Sequence, residues 1–332
     1  MSTAGKVTSL DVAKRAGVSR SAVSRVFTPG ASVSARTAQK VRDAADALGY
    51  RPNVLARAML TGKSKIIGLV VAYLDNHFYP TVLELLSDAL EREGYHVLVF
   101  MASHAASDVE EVVGQILDYQ VDGLVLASVA LSSDLADRCR ASGVPVVLFN
   151  RRVETEGGLA IVSDNHTGGR LAAAHLARLG RTRIGHIAGW EGASTQRDRE
   201  AGLMEGLREA GLGLFAREVG DFRLNRAQNA ARRMFDTDVR PDAVFVANDY
   251  MAFGVMDVLR AELGLSVPDD VAVIGFDDVP AAAWPAYGLT TVRQDAEAMV
   301  AATVKALMCD IQGHSTKPKP PLPVTLIQRT SA

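Results

Sequence analysis

The sequence predicts an α/β protein in which a small helical head precedes a larger body of parallel β-sheets. Three observations support this prediction. Residues 8–50 repeat the apolar spacing of short amphipathic helices, charge divides unevenly along the chain, and apolar strands alternate with amphipathic helices from Ile66 onward. With 332 residues, the chain exceeds what one hydrophobic core usually serves, so more than one folding unit is expected.

The head is basic and the body is acidic. Residues 1–65 carry twelve Lys or Arg against three Asp, a net charge of +9, whereas the remainder carries 24 basic against 35 acidic residues, a net charge of −11. A basic head favours a polyanion such as DNA or RNA, although an anionic membrane would also attract it. We find no signal peptide and no membrane span, and the two distant cysteines, Cys139 and Cys309, suit a reducing compartment. We therefore expect a cytoplasmic protein.

The first helix is predicted from about Ser9 to Ala16 in the stretch "TSLDVAKRAG". Thr8 and Asp11 have the spacing of a capping box, which satisfies free amides at a helix start. Gly17 is the residue type best able to adopt the positive φ that follows a helix.

The stretch "VSRSAVSRVF" predicts a second helix from Arg20 to Phe27, with Ser19 as its N-cap. A third helix follows, capped by Ser34 and carrying a buried stripe that ends at Leu48. The expected shared core of the first two helices comprises Leu10, Ala13, Val18, Val23 and Val26.

This arrangement is typical of a helix-turn-helix unit, whose second helix enters the major groove of DNA. Its outer face carries Arg20, Ser21 and Arg25, which we predict to read base edges, because arginine matches the acceptors of guanine. We expect Lys6, Thr8 and Ser19 to contact the phosphate backbone. A small basic bundle that binds another protein is the alternative.

Residues 1–52 are therefore assigned to a DNA-binding domain, 53–65 to a hinge helix and linker, and 66–332 to the body. In "RPNVLARAMLTGKSK", the helix-prone run from Val54 to Leu60 is too short to be stable alone in water. We expect contact with DNA to support it.

The body alternates strands such as "IIGLVVAYL", "GLVLAS" and "VAVIGFDD" with amphipathic helices, which predicts two parallel sheets in two subdomains. Ligands in such folds bind beyond the carboxyl ends of the strands. Several of these ends carry polar residues, each of which can instead be a helix cap or turn former. Those that we single out as candidate ligand contacts are Asn150, Asp164, Asn248 and Asp277.

The head, "RPNVLARAM" and the body together resemble the LacI/GalR family of bacterial transcription regulators over essentially the whole chain. The resemblance implies a body like a type I periplasmic binding protein. One subdomain would comprise about 66–160 and 293–320, and the other about 161–292 and 321–332. It also implies a hinge helix that inserts an apolar side chain into the minor groove. The matching hinge positions are Asn53, Ala56, Arg57 and Met59. Methionine occupies the position where the family more often has leucine.

The family match selects effector contacts among the polar strand ends and adds others. Asn248, Asp277 and Arg199 would hold polar groups of the effector, Phe222 would stack on it, and Phe78 with Tyr79 would form a wall. Ala193 departs from relatives that have a polar contact there, and Ser194 or Thr195 would compensate. Such a set suits a sugar or sugar derivative, and a purine or nucleoside could use the same aromatic plate.

No catalytic constellation, metal-ligand spacing or phosphate-binding glycine loop is recognisable, so we expect neither an enzyme nor a cofactor. A solute-binding protein without DNA function is the alternative from another class. Reading a palindromic operator requires two heads, so we expect a homodimer. Family analogy places its contacts on the helix after Tyr79 and around Met256 and Ala282. No leucine heptads follow "KPKPPLP", so a coiled-coil tetramer is not expected.

Overall fold

The structure is a computed structural model that describes residues 7–28, 30–51, 63–102, 106–129, 138–139, 141–152, 159–314 and 316–332. The chain separates into two compact units, Met1–Lys65 and Ile66–Ala332. Within the described ranges, no helix combines the length and the apolar character needed to cross a membrane.

The head consists of three helices, α1 (Ser9–Ala16), α2 (Arg20–Val26) and α3 (Ala35–Leu48). The predicted boundaries are confirmed within one residue. Gly17 ends α1 with a φ of 66°, as expected for a left-handed cap. The Ser19 hydroxyl accepts the amide of Ala22, and the Ser34 hydroxyl accepts that of Thr37, so serine side chains satisfy exposed amides at the starts of both later helices.

The core of the head differs from the prediction at one position. Leu10 is 49% exposed, so its assignment to the core is wrong. Val12, Ala13 and Ala16 form the stripe of α1 that packs on the other helices, and Leu10 falls outside it. The fully buried members of this core are Val12, Ala13, Val23, Val41, Ala44 and Ala45.

The first sheet of the body has five parallel strands in the order β2-β1-β3-β4-β5. β1 and β3 lie inside the sheet and are almost wholly buried, as their continuous apolar sequences predict. The elements around this sheet are β1 (Ile66–Val71), α4 (Phe78–Arg92), β2 (His96–Met101), α5 (Ala106–Asp118), β3 (Gly123–Ala127), β4 (Val146–Phe149) and β5 (Leu159–Ile161).

The second sheet has six strands in the order β11-β10-β9-β8-β6-β7, and only β11 runs antiparallel to its neighbour. Its elements are α6 (Asn165–Arg178), β6 (Ile184–Ala188), α7 (Ser194–Glu209), β7 (Ala216–Val219), α8 (Leu224–Phe235), β8 (Ala243–Val246), α9 (Asp249–Asp257), β9 (Ala272–Asp277), β10 (Thr290–Gln294) and β11 (Val324–Ile327). A π-helical turn, Val258–Glu262, continues α9, and a short 3-10 helix spans Pro280–Ala283.

The chain passes between the two sheets three times. After β5 it enters α6, after β10 it returns to the first sheet as α10 (Ala296–Ile311), and it then reaches β11. Helix α10 packs on α4 and on strands of the first sheet. The first and third crossings pair through the bridge between Ser163 and Leu322. These crossings place the carboxyl ends of both sets of strands next to each other.

Candidate functional site

The outer face of α2 carries the three predicted base readers. Arg20, Ser21 and Arg25 are all exposed there. The Arg20 Nε donates to the Ser9 hydroxyl at 3.1 Å, and the Ser21 hydroxyl lies 2.9 Å from that of Ser19. Arg20 is thus oriented by a residue of α1 that the sequence did not single out. The face presents two guanidinium donors beside hydroxyls, the groups that bind guanine edges and phosphates.

Two expected backbone contacts lie at helix starts. The Asp11 carboxylate accepts hydrogen bonds from the Thr8 amide at 2.9 Å and from the Thr8 hydroxyl at 2.7 Å. These hydrogen bonds lower the pKa of Asp11. Thr8 and Ser19 are exposed, which suits phosphate contact. Lys6 lies outside the described residues, as do the expected hinge contacts Asn53, Ala56, Arg57 and Met59.

Asp277, at the end of β9, is the centre of a buried polar cluster in the body. The Asn76 amide donates to its Oδ2 at 3.0 Å, and the Gln294 amide donates to its Oδ1 at 2.7 Å. Asn76 follows β1 of the first sheet, so this carboxylate joins both sheets. Burial raises the pKa of Asp277, while Arg199 and these two amides oppose the increase.

Arg199, on α7, is the cationic partner of Asp277. Its Nη2 lies 3.7 Å from the Asp277 carboxylate, its Nε donates to Asn165 at 2.8 Å, and its Nη1 donates to the Ala247 carbonyl. The guanidinium lies over the Phe276 ring, 3.6 Å from the ring centre. Burial lowers the pKa of Arg199, and Asp277 opposes this effect. The group is therefore held rigidly, in the way that a ligand-orienting side chain requires.

The expected wall from the first sheet stands at the start of α4. Phe78 and Tyr79 are both buried, and their rings meet edge to face at 5.5 Å. The Asn150 amide donates to the Tyr79 hydroxyl at 3.2 Å, so the end of β4 is tied to this wall. Asn150 has a φ of 58°, a conformation that asparagine tolerates better than most residues.

Phe222 lies at the other side of the cluster and lines an open cavity. Its ring fills the space beside Gly189, where any Cβ would overlap it. The cavity has a volume of about 260 Å³ and is also lined by Tyr73, Asp75 and Tyr250. It therefore combines aromatic surfaces with a carboxylate, which are common features of sites for polyhydroxylated ligands.

Four side chains beside this cluster are buried yet have polar atoms without a hydrogen-bond partner in the described part of the chain. These atoms are Asn150 Oδ1, Asn248 Nδ2, Gln294 Oε1, and Nε and Nη1 of Arg151. Buried polar groups are nearly always paired, so orphaned ones grouped at strand ends indicate a binding site. The sequence did not single out Arg151, Gln294 or Asn76.

Two further expected effector contacts, Asp164 and Thr195, lie at helix starts. Asp164 caps α6, with one carboxylate oxygen accepting the Thr167 amide at 2.9 Å and the other accepting the Thr167 hydroxyl at 2.7 Å. Its carboxylate is thus engaged as a helix cap, the alternative noted for every polar strand end. Thr195 is buried in the first turn of α7, beside Ser194, whose hydroxyl accepts the amide of Arg152 at 3.0 Å.

Asp249 is a buried carboxylate behind the cluster. It accepts hydrogen bonds from the Thr291 hydroxyl at 2.5 Å and from the Val279 amide at 2.9 Å. Burial raises the pKa of Asp249 well above its usual value, and the charge of Asp277 adds to the increase. Its satisfied hydrogen bonds mark it as a structural support of the β9 end. The described residues contain no cluster of three or more His, Cys, Asp or Glu that could hold a metal ion.

Comparison with known proteins identifies the family. The family of bacterial regulatory proteins named lacI matches residues 8–53, and a periplasmic binding protein-like domain matches residues 173–332. The HTH-type transcriptional regulator MalR of Streptomyces coelicolor is 34% identical over 315 residues, which cover 91% of this chain and 90% of MalR. The HTH-type transcriptional repressor PurR of Vibrio campbellii is 31% identical, with 86% of each chain covered.

Solved structures agree over the full length. The lac repressor dimer bound to operator and the anti-inducer ONPF is 30% identical with a TM-score of 0.87, covering 98% of this chain and 99% of that one. The complex of the transcriptional regulator CelR with cellobiose is 31% identical with a TM-score of 0.74, covering 98% and 100%. The chain therefore belongs to the lacI family of bacterial regulatory proteins and is a DNA-binding transcriptional regulator.

Proposed function

We propose that this protein is a cytoplasmic repressor that binds a palindromic operator as a homodimer and responds to a small molecule bound between the two sheets of its body. The observation that carries the effector assignment is the group of orphaned polar atoms on Asn150, Asn248 and Gln294. They come from strand ends of both sheets, where ligands of such folds bind.

The effector that fits best is a sugar or sugar derivative. Hydroxyl groups both donate and accept hydrogen bonds. The site offers the carboxylate of Asp277, the guanidinium of Arg199, and both amide donors and amide acceptors. A purine or nucleoside is the second candidate, because Phe222 offers an aromatic plate and repressors named PurR are among the relatives.

Coupling to DNA follows from the contacts between the sheets. The hydrogen bond from Asn76 to Asp277 joins strand ends of different sheets, so a ligand at Asp277 changes how closely these ends approach. In our proposal this movement alters the spacing of the two hinge segments, residues 53–65, in the dimer, with Met59 as the minor-groove wedge. Such couplings amount to about 1–3 kcal/mol. This geometry is compatible with an effector that releases the protein from its operator and with one that recruits the protein to it.

The dimer face that we propose includes the edge strand β2 and α4. Val99 and Met101 are 39% and 49% exposed on β2, which is the outermost of the described strands on one side of the first sheet. An apolar groove of about 420 Å³ lies beside them, lined in part by Leu83 and Pro80 of α4. Exposed apolar surface on a free edge strand is typical of a protein interface.

The test is selection of duplexes from a random library by the full-length protein, followed by binding of the enriched duplex in the presence of sugars, sugar acids and nucleosides. A palindrome whose binding changes with one compound supports the proposal. If a folded dimer enriches no palindrome, the proposed DNA function is wrong.

Arg25→Ala tests the base-reading assignment. We expect it to lower affinity for the selected operator by about 1–3 kcal/mol and to leave binding to random duplex nearly unchanged. The control is Arg42→Ala, which removes the same charge from an exposed site on α3 and should affect both duplexes alike. Equal losses on both duplexes for Arg25→Ala would make Arg25 a phosphate contact.

A further inference from the structure

Arg151 is a buried cation without an anionic partner in the described part of the chain. It is the second residue after β4 and is only 4% exposed. Nη2 donates to the Ser128 hydroxyl at 3.1 Å, and the guanidinium lies 5.1 Å from the centre of the Trp190 ring. Nε and Nη1 have no acceptor among the residues that the structure describes. Arginine carries a positive charge in proteins, so within the described residues both these donors and the charge are without a partner.

The contrast with Arg199 shows that this is unusual even within the same cluster. Arg199 is equally buried, but it has the Asp277 carboxylate 3.7 Å away and two further oxygen acceptors. Removing a cation from water is strongly unfavourable unless an anion compensates its charge. Arg199 has that compensation, whereas Arg151 has a hydroxyl and an aromatic face.

The surroundings of Arg151 belong to the effector site. Ser128 also lies 3.5 Å from the Tyr73 hydroxyl, and the Tyr73 ring packs edge to face on Tyr79 at 5.3 Å. Asn150, the neighbour of Arg151 in sequence, bonds the Tyr79 hydroxyl. The Arg151 guanidinium is therefore next to the aromatic wall of Phe78 and Tyr79 and to the orphaned amide oxygen of Asn150.

Neither buried carboxylate of this cluster is paired with Arg151 in the part of the chain that the structure describes. Arg151 and Arg199 contribute two positive charges, and Asp277 contributes one negative charge. Asp249 lies behind Asp277, and its oxygens are engaged by Thr291 and Val279. Asn150, which precedes Arg151 in sequence, is neutral. Among the described residues, the positive charge of Arg151 is therefore left without a carboxylate beside it.

We propose that the effector is an anion whose carboxylate or phosphate group is bound by Arg151. This inference rests on the proposed effector site and specifies its ligand: a sugar acid or a phosphorylated compound rather than a neutral one. The remaining polar groups of the effector lie against Asp277 and the orphaned amides. Arginine suits this role because its planar donors match carboxylate and phosphate oxygens.

The experiment compares the full-length protein with Arg151→Met and with the control Arg152→Met. Arg152 is the next residue, and its side chain is 48% exposed, so the control removes the same charge from outside the cluster. Inorganic phosphate is the first probe. Melting temperatures are measured over a series of phosphate concentrations against chloride at equal ionic strength, because phosphate also stabilises proteins non-specifically.

We expect phosphate to stabilise the wild-type protein and Arg152→Met, and to stabilise Arg151→Met at least tenfold more weakly in apparent affinity. In chloride, Arg151→Met should melt at the same temperature as the wild type or higher, because a buried charge has been removed. An equal phosphate response in all three proteins would overturn the proposal. So would a marked loss of stability in Arg151→Met alone, which would make Arg151 a structural residue.

Pairs of compounds that differ mainly in carrying an anionic group give the second readout. Calorimetric titration with gluconate against glucose, ribose 5-phosphate against ribose, and AMP against adenosine should favour the anion of at least one pair in the wild type but not in Arg151→Met. If a neutral compound alters operator binding and Arg151→Met leaves that response intact, the anionic effector is wrong while the proposed regulator function stands. If the wild-type protein recognises no operator, the proposed regulator function is wrong. The phosphate series would still decide the role of Arg151.

Discussion

Acidification should destabilise the body through one buried histidine. His186, in β6, is fully buried and stacks on Phe245. Its Nδ1 lies 2.9 Å from the Phe245 carbonyl, and its Nε2 lies 3.1 Å from the Gln196 amide nitrogen. A ring with a proton on Nδ1 donates to the carbonyl and accepts from Gln196. The neutral imidazole therefore satisfies both neighbours, and a second proton would face an amide donor.

The size of the effect follows from the pKa. Burial lowers the pKa of His186 from 6.5 to about 4. As the pH falls below about 6.5, His186 binds a proton in the unfolded chain but not in the folded protein. The unfolded state therefore gains stability relative to the folded state. Each pKa unit corresponds to about 1.4 kcal/mol, and the loss between pH 7.5 and pH 4 should be about 3 kcal/mol. The contribution is complete above the unfolded pKa and disappears towards the folded one.

Urea unfolding at a series of pH values measures this loss. Both tryptophans, Trp190 and Trp284, belong to the body, so intrinsic fluorescence reports on it without the head. His186→Asn keeps a donor near the Phe245 carbonyl but cannot titrate. Its free energy of unfolding should fall by about 3 kcal/mol less over the same pH range. His314→Asn, at an exposed position, is the control.

Other groups also titrate in this range, which is why the comparison with the variant matters. Although burial opposes it, the hydrogen bonds from Arg217 hold the pKa of Glu200 below its usual value, so Glu200 also loses stabilising contacts in acid. If wild type and His186→Asn lose the same free energy, the buried neutral histidine is not the cause. The functional consequence of protonating His186 is local to this part of the second sheet. Its neighbour Gln196 also accepts a hydrogen bond from the Gly189 amide at 2.6 Å, beside Phe222.

Three further substitutions test the packing, the effector site and the dimer face. Gly202→Ala places a Cβ against the backbone of α6 and should cost more than about 3 kcal/mol in urea unfolding, whereas Gly213→Ala, in open space, should be neutral or slightly stabilising. Asp277→Ala should abolish the response of operator binding to effector while circular dichroism shows a folded body, and an unchanged titration would contradict the site. Val99→Lys should shift sedimentation from dimer to monomer at micromolar concentration, and a persistent dimer would place the interface elsewhere.

The head could be predicted almost completely because its signals are local. The capping serines, Gly17 and the spacing of apolar residues each act within one helical turn or the next. Leu10 was the exception, since α1 carries apolar residues on two sides and the sequence does not say which side meets α3. The choice depends on the packing of Val12 and Ala16 against distant residues.

In the body, the sequence predicts the strands but not the contacts between them. Its strands are visible as apolar runs, and polar residues such as Asp277 are visible at their ends. The partners of these polar residues cannot be predicted from the sequence. Asn76 and Asp277, for example, are 201 positions apart in the chain and meet only after both sheets have formed. Arg151 is visible in the sequence as a charged residue close after a buried strand, but its lack of a partner among the described residues is a property of the folded protein.

The three passages between the sheets also set the order in which the body is completed on the ribosome. All five strands of the first sheet have been made once Ile161 is added, but α10, which covers part of this sheet and packs on α4, ends only at Ile311. The second sheet is complete only after β11 has been synthesised, and β11 follows α10 in the chain. Neither half of the body is therefore finished before nearly the whole chain has been synthesised, whereas the head has all of its core residues early. A nascent chain should thus present a folded DNA-binding head well before it can respond to any effector.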